Sequence, residues 1–453
     1  MVITKSTLLQ KLNISVLGIA FLFCAHRPCS AVKPDITFDY TGYVAYQDGE
    51  IVKGMYGNSW DILDHQWQNF FFGGFDIIAT LNKRLQIDIG TEAELAQSVF
   101  DLSSSTEYAQ DLDSYNMYYR FYANQMKGTY TFGDLDKPLL KATLGYFKYT
   151  YNHDVKSLGE YLFRATPYPG YIINSFASVY ARLPGLCLEF TPISNLKIDG
   201  LFTAETQYPV GDMTPSLVAS YGIGGSGNHP LVEVGAGVSF SRLIAINSAL
   251  THPRYPQDQV VLFDTTHTQV NGVDTEIVSS DTSYPSFAST KVMARFSFDP
   301  KQLFGAPRIF GDQDLKLYGE ACILGTQNYP HFYDTLWRRI PIMLGFNVPT
   351  FKLLDVLSAE VEWYNSKYSN NYKNVYFNTP KLPQPVGGYE PPHYPWYWDI
   401  YFERTIVYGL KVMGDVGRTH YFTTGNLQYY RDTREECPSL GDWQFTLRAQ
   451  FSY

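Results

Sequence analysis

The chain has 453 residues, with 35 Lys and Arg against 44 Asp and Glu for a net charge of −9, and 16% of it is aromatic, including 37 Tyr and 30 Phe. So aromatic a composition excludes a disordered chain, which lacks the apolar groups to offset chain entropy, and the acidic balance argues against nucleic acid as a partner, since phosphate binding needs a basic stripe. Beyond residue 31 no apolar run approaches the roughly 20 residues of a membrane-spanning helix, which leaves a soluble multidomain enzyme or a β-barrel membrane protein.

Residues 1–31 read as a secretory signal peptide. Lys5 and Lys11 give it a positive start, residues 14–24 are an apolar run too short to span a bilayer, and Cys29-Ser30-Ala31 places small residues before a cut ahead of Val32. Residues 32–453 are then a single exported domain. Its remaining cysteines, Cys187, Cys322 and Cys437, are odd in number, far apart and without CxxC spacing. They make no disulfide framework and read as small side chains rather than metal or redox groups.

From there the pattern has period two, as one-sided burial of a strand requires. In 85–95, Leu85, Ile87, Ile89, Ala93 and Leu95 alternate with Gln86, Asp88, Gly90, Glu92 and Glu94. Residues 140–146, 196–202 and 232–240 follow the same rule, as do 314–323, where Tyr318 falls on the charged face, and 357–364. Nothing comparable shows the 3.6-residue period of a long amphipathic helix. The fold class is all-β. A soluble sandwich also alternates, but here the polar faces carry charges of both signs, the strands often reach ten residues, and the connections alternate between short and long. Those features predict a transmembrane antiparallel up-and-down β-barrel.

Fifteen strands are expected near 36–46, 68–81, 84–97, 113–124, 138–149, 178–190, 195–206, 231–241, 288–299, 313–325, 338–348, 355–366, 399–414, 419–430 and 441–453. Both ends on one side of a membrane demand an even number, and the parity fails between 242 and 287. A weaker strand at 259–270 restores it, giving about sixteen, with eighteen as the next count. The short turns are then 81–84, 191–195, 349–354 and 414–418. The long loops are 47–67, 98–112, 150–177, 207–230, 271–287, 326–337, 367–398 and 431–440.

The chain ends with Trp443, Phe445, Leu447, Ala449, Phe451 and Tyr453 on one face and polar residues on the other. This resembles the terminal strand of bacterial outer-membrane β-barrels, whose terminal aromatic is part of the signal read by the barrel assembly machinery; Phe451 and Tyr453 match it. The resemblance is to bacterial outer-membrane porins as a class and covers residues 32–453. It implies passive diffusion of small hydrophilic solutes or ions through a water-filled barrel in the outer membrane, contact with outer-membrane lipid, a homotrimer and no cofactor. In trimeric porins the third loop folds inward as a constriction. Residues 150–177 match in order and carry Glu160 and Arg164 four apart on a short apolar helix-like stretch. Gly145-Tyr146-Phe147-Lys148 faintly resembles a strand end of phosphate-selective porins, although the acidic chain counts against an anion-specific pore.

By strand parity the charges facing the lumen include Arg120 and Lys141, which join Glu160 and Arg164 as constriction candidates, together with Glu92, Glu94, Lys197, Asp199, Arg295, Lys316, Glu320, Glu360, Glu362 and Arg448. Lys291, Arg339 and Arg404 are further lumen cations. The mixture of signs suggests a transverse field across a general pore. The Pro- and aromatic-rich stretch 383–402 suits packing on the rim, with sugar stacking as the alternative. An adjacent Asp64-His65 is the sole hint of a hydrolytic pair. No GxSxG, P-loop, HExxH or EF-hand pattern occurs, so no catalytic residue, metal ligand or enzymatic activity is expected. The rival reading is a plugged barrel that acts as an adhesin or ligand-binding protein through its long loops.

Overall fold

A computed structural model describes residues 36–56, 61–62, 64–99, 117–165, 172, 180–206, 210–225, 229–255, 259–270, 273–305, 307–328, 335–366, 394–407, 409–420, 435 and 437–453. Sixteen antiparallel strands, each hydrogen-bonded to its neighbours in chain order, close into one barrel. They are β1 (Ile36–Lys53), β2 (Gln66–Leu81), β3 (Leu85–Val99), β4 (Met117–Gly133), β5 (Pro138–Tyr149), β6 (Ala181–Ile193), β7 (Leu196–Ala204) and β8 (Met213–Ile223). The second half comprises β9 (Val232–Ser241), β10 (Ser289–Phe298), β11 (Leu317–Ile323), β12 (Ile342–Asn347), β13 (Val356–Trp363), β14 (Trp396–Val407), β15 (Leu410–Arg418) and β16 (Trp443–Ser452).

Alternation sorts the side chains. Along β10, Lys291, Met293, Arg295 and Ser297 are buried inside the barrel while Val292 and Phe296 are exposed outside. Along β1, Phe38, Tyr40, Val44 and Tyr46 are exposed, whereas Ala45 and Gln47 are buried. An outer surface so apolar, wrapped around a charged interior, is the reverse of a soluble barrel and suits a solvent of lipid tails. Ten residues of β16 at about 3.3 Å each, tilted by about 40°, rise about 25 Å, the height of such an apolar band.

Closure joins the first strand to the last. β16 pairs with β1 from Tyr43↔Ser452 to Lys53↔Trp443. Beyond that ladder, Gly42 N donates to the Tyr453 carbonyl at 3.1 Å and Tyr453 N to the Gly42 carbonyl at 2.9 Å. The Tyr453 ring lies over Gly42, where a Cβ would stand 2.4 Å from Cζ. The terminal aromatic therefore lies where a side chain at position 42 would stand.

The strand count matches the expectation, but two strands lie elsewhere. Residues 260–270 are not in the barrel: Val260–Val270 pairs with Val273–Ser283 in a separate two-stranded sheet. The intervening Asn271-Gly272 is a strong two-residue hairpin signal. The missing barrel strand is β8, inside the expected loop 207–230. Its inward face carries Thr214, Ser216 and Val218 rather than charges, and Pro215, normally a strand breaker, obscures the pattern. The expected strand 399–414 is two strands that turn at Gly409 (φ 82°). The turn placed at 414–418 therefore lies within β15, and the strand placed at 419–430 falls on 410–418. Residues 421–430 lie outside the described residues, as do residues 1–31, where a signal peptide is expected.

At one end the strands are joined by 82–84, 134–137, 194–195, 224–231, 299–316, 348–355 and 408–409; the other junctions between consecutive strands fall at the opposite end. Arg404 is corrected from a lumen cation to a group at the short-turn end. It stands out of phase with the buried Tyr397, Asp399 and Tyr401, 3.3 Å from Asp355 of the turn.

Candidate functional site: an inward loop on carboxylate anchors

After β5 the chain does not leave the barrel. Tyr149 donates its hydroxyl to Asp199 of β7 at 2.8 Å, and residues 150–165, the start of the third long loop (L3), run inside the lumen against the opposite wall. A segment crossing a barrel has no ladder to satisfy its amides, and each buried N–H without an acceptor is costly. Three strand-borne side chains meet that need. Glu360 of β13 accepts from the amides of Lys156 (2.6 Å), Ser157 (2.9 Å) and Leu158 (2.7 Å). Glu320 of β11 accepts from the amides of Glu160 (3.1 Å) and Tyr161 (2.8 Å), the Tyr151 hydroxyl (2.6 Å) and the Asn152 amide side chain (2.9 Å). Lys291 of β10 donates to the carbonyls of Leu162, at 2.9 Å, and Ala165.

Between the anchors lies one helical turn, α1 (Tyr161–Arg164), entered through Gly159 (φ 95°) and Glu160 (φ 58°). A Cβ at Gly159 would stand 2.8 Å from Met343 Cε and 2.9 Å from Val155 Cγ1, so only glycine makes this turn against β12. A left-handed Glu160 costs about 1–2 kcal/mol, and a charge-assisted hydrogen bond returns about 1.5–3 kcal/mol. The apolar side of L3, formed by Val155, Leu158, Leu162 and Ala165, packs on Cys187, Leu201, Val218, Met293, Cys322 and Met343 from the wall. Cys187 and Cys322 are buried free thiols, and Cys437 is buried as well.

Glu160 is fully buried. It accepts from the Thr150 hydroxyl at 2.7 Å and the Tyr151 amide at 2.9 Å. Burial and the neighbouring Glu320 push its carboxyl up to about 8. Arg164 is buried beside it; desolvation lowers its proton affinity, against the pull of Glu160 and Glu360. Glu362 of β13 takes the Tyr161 hydroxyl at 2.5 Å and His420 Nε2 at 2.5 Å, and His420 Nδ1 lies 3.2 Å from Glu435. Burial pulls His420 down, but the two flanking carboxylates outweigh it and hold the imidazole up at about 9. Its ring stacks on Tyr397 at 4.0 Å between centroids. L3 and the residues after β15 therefore meet on one carboxylate. Lys316 holds Asp154 of L3 at 3.0 Å.

Other charges expected in the lumen form a second group on the wall from β16 to β6. Arg120 pairs with Glu94 at 2.5 Å, its guanidinium 4.4 Å from the Tyr122 ring centroid. Glu92 accepts from the hydroxyls of Tyr43 (2.8 Å) and Tyr122, with Arg182 at 3.6 Å. Arg448 stands over the rings of Phe72 (4.7 Å) and Tyr43 (5.8 Å). A third group, Lys197, Asp199 and Arg295, lies below L3 toward the short turns. Lys141 belongs to none of these groups: it faces Thr131 and Glu189 across the ladder, near the short-turn end of β5.

Sequence reasoning missed the tyrosines. Tyr43, Tyr122, Tyr149, Tyr151, Tyr161 and Tyr318 each donate a hydroxyl to a lumen carboxylate. Their signal was parity, because Tyr318 shares the phase of Lys316 and Glu320. Also missed were His420 and Glu435. Arg418 too was overlooked; it is fully buried and binds the carbonyls of Ser439 and Pro438 at 2.7 Å. His65 pairs with Glu50 at 2.8 Å. Residues 166–171 and 173–177 of the third loop and 383–393 of the aromatic stretch lie outside the described residues.

Fold and site together define a closed sixteen-stranded barrel with an apolar exterior, a charged interior and an inward third loop. No protein-family model and no curated protein matches the sequence. Among solved structures, three mutant forms of the Rhodopseudomonas blastica porin align over 92% of this chain and 100% of theirs, at 7% identity and TM-scores of 0.43, 0.42 and 0.44.

Proposed function

We propose that the chain is a bacterial outer-membrane porin that passes small hydrophilic solutes or ions by passive diffusion. The observation that carries this reading is the asymmetry of the lumen. L3 is anchored on the β7–β13 wall by Glu320, Glu360 and Lys291, while the β16–β6 wall presents Arg448, Arg120 and Glu92 across from it. Charge held on a fixed wall of a wide barrel sorts solutes by size and sign and needs no cofactor or energy coupling. Arg120 faces the passage in this reading, Glu160 and Arg164 are buried in L3 and hold the loop that narrows it, and Lys141 is a charge of the vestibule. Export by residues 1–31, recognition of Phe451 and Tyr453 by the assembly machinery, a lipid-facing outer surface and a homotrimer complete it.

Single-channel recording of the purified protein in a planar bilayer tests it, with a salt gradient to give the reversal potential. Large, stable ohmic steps are expected. A folded barrel that inserts and never conducts would overturn the pore and favour the plugged barrel whose external loops bind a ligand.

A further inference from the structure

The chain carries a net charge of −9, yet the charge that a solute can reach beside L3 has the opposite sign. On the wall that holds L3 the carboxylates are covered. Glu320, Glu360 and Glu362 are at most 3% exposed, and they are spent on the amides, hydroxyl and imidazole that lie over them. Asp399 and Asp415 are buried as well. Of the charges on L3 itself, Asp154 is matched by Lys316, whereas the half-buried Lys156 gives its amine to the His153 carbonyl at 3.3 Å.

The wall across from L3 hides its acids and shows its bases. The Glu92 and Glu94 side chains are 9% and 2% exposed, while the guanidiniums paired with them, Arg182 and Arg120, keep 27% and 23%. Two more cations, Arg448 of β16 and Lys148 of β5, are half-buried, and among the described residues neither has a carboxylate within ion-pair distance. Aromatic faces hold them instead, Arg448 over Phe72 and Lys148 5.0 Å from the Tyr180 ring. Three tyrosines tie the four cations into one cluster. Tyr43 gives its hydroxyl to Glu92 and its ring to Arg448. Tyr122 lies under both Arg120 and Arg182, and Tyr180 under both Arg182 and Lys148. Toward the short turns the surplus ends, with Lys127 on Asp88 at 3.3 Å and Asp76 accepting from Gln125 at 3.2 Å.

Four cations thus stand against two carboxylates, and the cations are the accessible partners. A ring under a guanidinium attracts its charge without consuming its in-plane N–H donors, and that planar fork matches a carboxylate or phosphate. We propose that Arg448, Arg120, Arg182 and Lys148 form a binding step for small oxyanions and give the passage an anion preference, against the sign of the whole chain. The inference rests on the pore reading for preference in transit, and not for binding.

The test is the reversal potential of the full chain in a planar bilayer under a KCl gradient. Chloride is expected to outrun potassium by about threefold or more near 0.1 M salt, and the preference should shrink in molar salt as screening shortens. Arg448→Gln and Lys148→Gln, neither of which strands a paired carboxylate, should each lower the permeability ratio by about twofold and together bring it near unity. Ohmic conduction with a null or cation-preferring potential overturns the inference and leaves the pore standing, as does a preference unchanged in a folded double variant. Where the barrel does not conduct, saturation-transfer NMR in nonionic detergent decides. Binding of succinate, absent for the neutral succinamide and lost in the double variant, upholds the site and sinks the pore. Equal binding of the two solutes, or none, sinks both.

Discussion

Glu160 and His420 are ionisable side chains removed from water, and both are displaced in the direction that favours the proton. The Glu160 carboxyl is raised from an ordinary 4.5 to about 8. Its contribution to docking L3 is therefore full below about pH 4.5 and lost as pH rises through about 8. His420 is raised from 6.5 to about 9, so the clamp through Glu362 and Glu435 is full below about pH 6.5 and lost through about 9. Amide hydrogen exchange of residues 150–165, corrected for its intrinsic pH dependence, should quicken between pH 6 and pH 10. Glu160→Gln, which keeps a neutral group of the same shape, should flatten the lower part of that rise. His420→Ala leaves two buried carboxylates facing each other. It should cost about 3–5 kcal/mol, read as a lower midpoint in guanidinium unfolding.

At the scale of elements, L3 is a loop held like a strand, with carboxylates standing in for ladder partners. Replacing both Glu320 and Glu360 by Ala removes the acceptors of five L3 amides at once, and the segment should leave the wall. The expected result is a changed unitary conductance, by about twofold or more, with faster exchange confined to 150–165; conductance and exchange both unchanged would contradict the anchoring. The hairpin of 260–270 and 273–283 lies outside the closed sheet. Deleting 259–284 should leave a barrel that still migrates as folded on a semi-native gel, whereas Val218→Pro, which takes an amide out of β8, should abolish that migration. β8 was hard to read because serine and threonine on its inner face gave no charge alternation, while 260–270 alternated well enough to pass for a barrel strand. A hairpin and a wall strand share one local pattern; they differ in what they pair with.

For the whole molecule, closure decides whether sixteen strands are a barrel or a sheet with two open edges, which lipid does not tolerate. The seam depends on the fit of Tyr453 over Gly42 and on the ladder from Tyr43 to Lys53. Gly42→Val should displace the ring and weaken the packing at the end of the seam while its backbone bonds to Tyr453 remain. It should lower the temperature at which the barrel loses its compact migration by several degrees, while a valine on the outer face elsewhere, at Ala236, should leave it in place.

The all-β class, the membrane-facing exterior, the number of strands and the aromatic terminal strand were legible in the sequence, because they follow from side-chain alternation and chain length. The lumen position of Glu92, Glu320, Glu360 and Arg448 was legible for the same reason. What those charges do was decided by tertiary structure. Glu320 and Glu360 lie about 160 and 200 positions from the amides they hold, and no local pattern records which carboxylate a loop will find. Parity told which way each side chain points; only closure of the barrel brought L3, the tyrosine hydroxyls and the charges of the far wall within hydrogen-bonding distance.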